Sequence, residues 1–484
     1  MWAYISDHLW QFLLGLNYVL ALIAAVTILL KNINPTKTLS YLIALLAFPF
    51  VGLIVYFFFG QDYRKFKIFK KKNVLNQKNI RDWAQQLVLN KKEAYDIGSH
   101  LLNGNTKIIK LIDSEKRSPL TLNNKVKILI NGEEKFNSLF ADLKEAKSSI
   151  HLEYYIIRDD EIGTKIINLL CEKAAEGVSV KINYDSVASS FSNQSISSLK
   201  NSGVEMFPFM PVYFPKFASK ANYRNHRKMV IIDGKIGYVG GINIGDEYIN
   251  KEGRRFWRDT HIRIEGQAVG MLQFHFSLDW DFVSENDIKI DKRWFPETEV
   301  SNKIPIQIAA SGPDTEWANI MEAMFTAINS ASRYVYITTP YFIPNDEISL
   351  ALSTASKSGV DVRLIIPKSC DSWAAKYATY SYLEKLLRAG VKIYLYEKGN
   401  IHAKTMIVDD VFTTIGTSNM DYRSFHINFE VNALIYDEDI TKQMLEIYID
   451  DLQYSEQVDA ERWLNRGLIQ RLKESFCRLW APLL

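Results

Sequence analysis

The chain opens on two long uncharged runs and then changes its period. Leu9 to Leu30 carries no charged residue, and neither does Thr38 to Gly60. At about 1.5 Å per residue, a helix of either length matches the hydrocarbon thickness of a bilayer. Trp10, Tyr41 and Tyr56 lie near the ends of these runs, where interfacial anchors sit. The pattern predicts a two-helix transmembrane hairpin within 1–62, with helices at about 9–30 and 38–60 and a turn through 31–37. A polar connector, 63–120, follows, with a helical stretch at Trp83 to Ala94. It starts basic, with Arg64, Lys65, Lys67, Lys70, Lys71 and Lys72, so the positive-inside rule places everything after Gly60 in the cytoplasm.

Beyond Val126, short β-prone runs alternate with amphipathic stretches, which predicts an α/β architecture. Strands are expected at Val126 to Ile130, Ile150 to Ile157 and Val178 to Tyr184, with helices at Leu139 to Ala146, Gly163 to Ala175 and Ile196 to Asn201. The order then repeats. Strands are expected at Ile306 to Ala309, Tyr334 to Thr338, Val360 to Ile366 and Val391 to Tyr396. Helices are expected at Asn319 to Ala331, Ile348 to Ser356 and Tyr380 to Arg388. Gly177-Val178 matches Gly359-Val360, and Gly203-Val204 matches Gly390-Val391, as duplication of a whole domain would leave them. The two copies are placed at 121–300 and 301–484. Near the C-terminus, Leu468, Ile469, Leu472, Phe476, Leu479 and Trp480 form a helical stripe, expected to pack on the second copy, with contact to the membrane as the alternative.

One stretch recurs with fixed intervals. Lys228 and Lys404 each lie 2 after His226 and His402, Asp233 and Asp409 lie 7 after, and Asn243 and Asn419 lie 17 after. Met229 to Ile232 and Thr405 to Val408 read as buried strands, so each His and its Lys share a face. Asp233-Gly234 is a strong hairpin turn and Asp409-Asp410 a weaker one. Return strands at Ile236 to Val239 and Phe412 to Ile415 would bring each Asn beside its His. The aspartates at the turns are expected to brace the hairpins. Duplicated domains would set both motifs at one interface, near a pseudo-twofold axis.

Residue type narrows the chemistry. A Lys beside a His repels metal cations and attracts an anion. Neutral imidazole attacks electrophiles, and Lys and Asn donors suit the anionic oxygens of a phosphodiester. One imidazole cannot serve both as in-line nucleophile and as acid for the leaving alkoxide, so two are needed. A net charge of +3 gives no argument for nucleic acid as partner. Cys171, Cys370 and Cys477 are scattered, which suggests neither a disulfide framework nor a metal site and fits a reducing compartment. His151, His261, His275 and His426 lack the matched setting and read as core or surface histidines. Tyr213, Phe214 and Phe217 read as packing rather than as an acyl-chain groove.

These residues resemble the phospholipase D superfamily, whose signature is His-x-Lys-x4-Asp followed by Gly-Ser-x-Asn. Thr417 stands where Ser is usual and keeps a hydroxyl; Gly241 stands there in the first copy and does not. The arrangement is similar to the bacterial cardiolipin synthases along nearly the full chain. It includes Asn34-Pro35-Thr36-Lys37-Thr38, Gly240 through Tyr248, and Ala481-Pro482-Leu483-Leu484. The resemblance implies two α-β-α repeats sharing an active site. It also implies transfer of a phosphatidyl group between two phosphatidylglycerols, giving cardiolipin and glycerol, without metal or cofactor.

By the same resemblance, His226, Lys228, Asp233, His402, Lys404 and Asp409 form the catalytic set, with His226 as the nucleophile forming a phosphohistidine and His402 as acid and base. Asn243, Asn419 and Thr417 lie on the substrate side. Glu430, 28 after His402, resembles the acidic residue that buttresses the opposing half, with Glu247 or Asp259 as its counterpart. The implied partners are phosphatidylglycerol and the bilayer. The rivals are a membrane-bound phospholipase D releasing phosphatidic acid, a nuclease of the same superfamily, and a silent membrane scaffold.

Overall fold

The computed structural model describes residues 9–30, 35–48, 50, 52, 106–114, 118–211, 223–284, 291–297, 300–315, 317–370 and 372–481. The chain divides into two units, Met1–Lys65 with Val212–Asn222, and Phe66–Pro211 with Tyr223–Leu484. In the first, the described residues form helices Leu9–Leu30 and Pro35–Ala47. Ala21, Ala24 and Ile28, on one stripe of the first helix, pack with Leu45 of the second; small side chains let helices approach closely. Leu9–Leu30 is the one helix among the described residues that is long and apolar enough to cross a membrane. Most of the second run beyond Ala47, the basic flank 64–72, the helix expected at 83–94 and the aromatics at 213–217 lie outside the described residues.

The larger unit holds two copies of one sheet. The first half supplies β1 (Asn124–Ile130), β2 (Ser149–Tyr154), β3 (Ser179–Asp185), β4 (Glu205–Phe209), β5 (Lys228–Ile232), β6 (Ile236–Gly240), β7 (Phe256–Arg258) and β8 (Thr260–Gly266). The second supplies β9 (Ile306–Ser311), β10 (Tyr334–Thr338), β11 (Phe342–Ile343), β12 (Asp361–Pro367), β13 (Lys392–Tyr396), β14 (Gly399–Ile401), β15 (Thr405–Val408), β16 (Phe412–Gly416), β17 (Met420–Asp421), β18 (Glu430–Tyr436) and β19 (Ser455–Gln457). The strand orders are β1-β8-β6-β5-β2-β3-β4 and β9-β18-β16-β15-β10-β12-β13, the latter extended by β19. They correspond strand for strand, which is the duplication seen in three dimensions. In each sheet the strands joined by helices run parallel (β2, β3, β4; β10, β12, β13) and the motif hairpins run antiparallel.

Alternation along the motif strands places the core. Met229 and Ile231 face a core shared with Ile407, Ile415 and Val431 of the other half. Val230 and Ile232, on the opposite face of β5, pack with Leu139 and Ile166 from the helices of their own half. Met406 and Val408 do the same in the second half, beside Met324 and Leu352. One face of each sheet thus meets the partner sheet and the other meets helices.

Both predicted turns form. Asp233 and Gly234 take φ of 53° and 63°, the left-handed pair of a tight hairpin. A Cβ on Gly234 would lie 2.2 Å from the Trp294 carbonyl oxygen, so glycine is required there. Asp409 takes φ of 49° without a following glycine.

Several elements depart from the sequence-based reading. Helix Asn131–Glu145 starts well before Leu139, because its first turn is polar and is held by Glu134 accepting from the Ile130 N–H. Helix Trp373–Arg388 likewise starts ahead of Tyr380, on a Ser372 cap. Strands β4, β7 and β8 and helix Gln267–Ser284 were not anticipated. The C-terminal helix, Leu468–Arg478, reverses the expected orientation. Its buried residues are Glu474 and Cys477, and its apolar stripe faces outward.

Candidate active site

Each motif begins just before its hairpin and is docked onto the opposite half. Asn225 bridges to Phe429, and the His226 N–H donates to the Phe429 carbonyl at 2.9 Å. In the second copy β14 pairs in parallel with β7, and the His402 N–H donates to the Arg258 carbonyl at 2.7 Å. The residue following each of these carbonyls is an acid. Glu430 lies 2.9 Å from His226 Nδ1, and Asp259 lies 2.8 Å from His402 Nδ1. Each half therefore orients the imidazole of the other.

Of the two candidates for the counterpart of Glu430, Asp259 takes the position. Glu247 instead pairs with Arg158 at 3.2 Å, partly exposed and away from either imidazole. The sequence signal for Asp259 is its place before β8, the strand corresponding to β18: an acid stands immediately before β8 and another opens β18.

The two cradles differ by one hydroxyl. Thr417 Oγ1 donates to Glu430 at 2.5 Å. At Gly241, the matching position, a Cβ would lie 2.1 Å from Asp259 Oδ1. The Asp259 carboxylate occupies the space a serine would need, so the missing hydroxyl is a steric consequence of this site.

The lysines fold back on their own histidines. Lys228 Nζ donates to the His226 carbonyl at 2.7 Å, and Lys404 Nζ to that of His402 at 2.6 Å. Each His is 9% exposed and each Lys is buried, so an imidazole edge is what a substrate meets. Tyr155 packs edge-on to His226 and Trp257 lies against His402, with ring centroids 4.8 and 5.1 Å apart.

Neither asparagine bonds an imidazole among the described residues. Asn243 donates to the Tyr248 hydroxyl at 2.8 Å, and Asn419 donates to Asp421 at 3.0 Å. Asp233 and Asp409 stand at the turns, where their carboxylates accept from backbone N–H groups. Asp233 accepts from the N–H groups of Lys147, Ser148 and Ser149 at 2.7–2.9 Å. Asp409 accepts from those of Ser332, Arg333 and Tyr334 at 2.8–3.0 Å. Both pin a motif hairpin to the start of the neighbouring parallel strand.

Around the first motif lies a buried polar network that sequence reasoning missed. Asn225 donates to Glu153 at 2.5 Å, its own N–H donates to Asp185 at 3.0 Å, and Arg227 pairs with Asp279. No period or spacing marks these residues, because they come from separate elements: β2, β3, the segment before β5 and helix Gln267–Ser284. His151 stacks on Phe276, and His261 and His275 are buried, as core histidines.

Burial and like charge dominate the electrostatics. Burial, then Lys228 and Lys404, hold His226 well below the ordinary imidazole range. Burial and Lys404 lower His402 to about 4, with Asp259 opposing them. Burial lowers Lys228 to about 7 and raises Glu430 to about 7. The site thus carries neutral imidazoles beside ammonium groups, an arrangement suited to a nucleophile and an anion. Among the described residues no group of three or more His, Cys, Asp or Glu side chains gathers as metal ligands would.

Known proteins resemble the chain in sequence and in fold. A family model described as "Cardiolipin synthase, PLD-like domain" matches residues 139–264 and 324–452, once in each half. A second, "Phospholipase_D-nuclease N-terminal", matches 19–61. A cardiolipin synthase of Geobacillus sp. (strain WCH70) is 42% identical over 469 residues, covering 95% of this chain and 91% of the relative. Cardiolipin synthase 2 of Bacillus anthracis is 42% identical over 476 residues, 96% of this chain and 90% of the relative. The crystal structure of phosphatidylserine synthase from Haemophilus influenzae Rd KW20 superposes with a TM-score of 0.60 at 16% identity, over 78% of this chain and all of the other, and shows the same fold. With its duplicated sheet, its cross-braced His-x-Lys pairs and relatives aligned from end to end, the chain belongs to the cardiolipin synthase family of the phospholipase D superfamily.

Proposed function

We propose that the two halves together transfer a phosphatidyl group from one phosphatidylglycerol to another, giving cardiolipin and glycerol. The observation that carries the reading is the exchange of carboxylates between halves, which orients two imidazoles for complementary roles: His226 neutral, and His402 protonated once the anionic substrate is bound. With its Nδ1–H donated to Glu430, His226 keeps the Nε2 lone pair free. That nitrogen attacks phosphorus, and the bond from phosphorus to the glycerol oxygen breaks. His402 gives its Nε2 proton to that oxygen, and glycerol departs. His402 then takes the proton from a hydroxyl of a second phosphatidylglycerol, whose oxygen attacks phosphorus. The phosphorus–nitrogen bond breaks, and both imidazoles return to their starting states.

The assignment of roles is supported by the two cradles. Asp259 counters the other influences on His402 and favours the cationic form an acid needs, and the arriving phosphate adds to that effect. His226 is held neutral by burial and by both lysines, as a nucleophile requires. Thr417 and Lys228 favour the ionised form of Glu430 against burial, and that form selects the reactive tautomer of His226. Lys228 and Lys404, with Asn243 and Asn419, supply donors for the non-bridging oxygens once substrate displaces their resting partners. One such donor is typically worth roughly 10²–10³-fold in rate. Asp233 and Asp409 serve by holding the hairpins.

The second apolar run completes a two-span hairpin, with both halves on the cytoplasmic side. Protease added to intact cells is therefore expected to spare them, and cleavage there would invert the topology. Holding the site at the lipid surface concentrates the acceptor and limits water. The test of the function is incubation of purified protein with labelled phosphatidylglycerol alone. Cardiolipin and glycerol in equal amounts are expected. Predominant phosphatidic acid, with acceptor abundant, would make the protein a hydrolase.

A further inference from the structure

The helix Leu468–Arg478 and the residues just after it turn an apolar face to solvent. Leu468, Ile469, Leu472, Phe476, Leu479 and Trp480 are 49–76% exposed. At 100° per residue they span an arc of about 120°. The opposite face is fixed to the protein by polar contacts. Glu474, 1% exposed, accepts from Arg466 at 2.7 Å and from Gln470 at 3.1 Å. Cys477 and Ala481 pack with Ile343 and Ala378. A helix stabilised through a buried carboxylate, with its leucines outside, is inverted relative to a soluble amphipathic helix. Among the described residues nothing covers the stripe.

The flank of the helix is basic. Beside it, against helix Trp373–Arg388, runs a groove of about 360 Å³. Lys385, Arg388, Arg466, Arg471 and Arg478 line it, with Glu384 and Glu474 as the only carboxylates. The carboxylates are used by Arg388 and Arg466, both at 3.0 Å from Glu384, and by Arg466 again at Glu474. Three cations remain in excess. Lys473 borders the other side of the stripe, with its ammonium 5.7 Å from the Tyr377 ring. An apolar arc edged by Lys and Arg, with a tryptophan at its end, has the composition of a helix lying in a membrane interface.

Its position suits the reaction. Ile343, which packs with Cys477, pairs with Asp421, and Asp421 accepts from Asn419 of the second motif. The outward helix is thus three contacts from Asn419 of the candidate site.

We propose that this helix is an interfacial anchor: its apolar face enters an anionic phospholipid leaflet, with Arg471, Lys473 and Arg478 at the headgroups. It lays the catalytic unit on the membrane by a contact separate from the N-terminal helices. The inference goes beyond the transfer reaction and shares with it only the lipid surface.

The test uses the full chain with Cys171 and Cys370 replaced by serine and an environment-sensitive fluorophore at Leu472→Cys. A matched label at Lys442→Cys, on an exposed position of helix Glu438–Gln453, is the control. The protein is reconstituted into phosphatidylglycerol-containing or purely phosphatidylcholine vesicles carrying a lipid-borne quencher. Quenching at 472 severalfold above that at 442, weakened without the anionic lipid and abolished by adding Phe476→Asp and Leu479→Asp, is expected. Equal quenching at both positions overturns the proposal. So does shielding of the 472 label from an aqueous quencher before lipid is added, which would assign the face to another part of the chain. Crosslinking between copies through position 472 would assign it to a second molecule and also overturn it. Lipid products are followed in the same samples. Cardiolipin without quenching rejects the anchor and leaves the transfer reaction standing; quenching without cardiolipin rejects the reaction and leaves the anchor.

Discussion

At the scale of single residues, the site depends on charge states set by burial. Glu430 is raised to about 7 and must be ionised to accept from His226, so activity should fall as pH drops below about 7. Lys228 is lowered to about 7 and must be charged to hold phosphate, so activity should fall as pH rises above about 7. The expected kcat/KM profile is a narrow bell near neutrality. Bound phosphate favours the charged lysine, so the alkaline limb of kcat should lie higher. A flat kcat/KM profile from about pH 6 to pH 9 would show that neither group governs catalysis. Thr417→Val offers a sharper check. It removes a donor to Glu430, so the carboxyl should titrate still higher and the acid limb should move upward. One lost hydrogen bond of about 1–1.5 kcal/mol corresponds to roughly one pH unit, and so to about a fivefold loss of rate at pH 7 and about tenfold on the acid limb. A lowered rate with an unmoved limb would mean that Thr417 acts through packing alone.

At the scale of elements, the motif hairpins are held at both ends by different chemistry. The imidazole end is bound to the opposite half, and the turn end is bound by an aspartate to its own half. Asp233→Ala or Asp409→Ala should cost about 2 kcal/mol or more, since three N–H groups lose a shared acceptor. Thermal unfolding should then begin several degrees lower, while folded enzyme in the cold keeps most of its turnover. Complete loss of activity with an unchanged melting temperature would instead place these carboxylates in the chemistry.

The hairpins were legible because everything that specifies them is local: an apolar run, an Asp at the turn, a return strand. The matched intervals in the two copies were legible for the same reason. Helix Gln267–Ser284 was not, because it is buried on most of its surface and so carries no polar stripe to give it a period. Asp259 was named only beside Glu247, since which acid meets His402 depends on a contact between residues 143 apart in sequence. The direction of the C-terminal stripe was missed because periodicity reports that a helix has two faces, not which of them the protein keeps. Here the buried Glu474–Arg466 pair decides it.

At the scale of the molecule, duplication accounts for the two motifs and leads to the expectation that neither half suffices. Each sheet carries one imidazole and the carboxylate for the other, so separated halves would each hold an unoriented histidine. His226→Ala and His402→Ala should therefore each abolish turnover, and substantial activity in either would refute the shared site. The account's central claim is that His226 carries the phosphatidyl group and His402 moves the proton. The most direct measurement is to mix the full chain with phosphatidylglycerol labelled at phosphorus, quench in acid after a fraction of a turnover, and map the labelled peptide. Label on His226 is predicted. Label on His402 would reverse the roles, and no adduct together with inversion at phosphorus would replace the covalent intermediate with direct displacement.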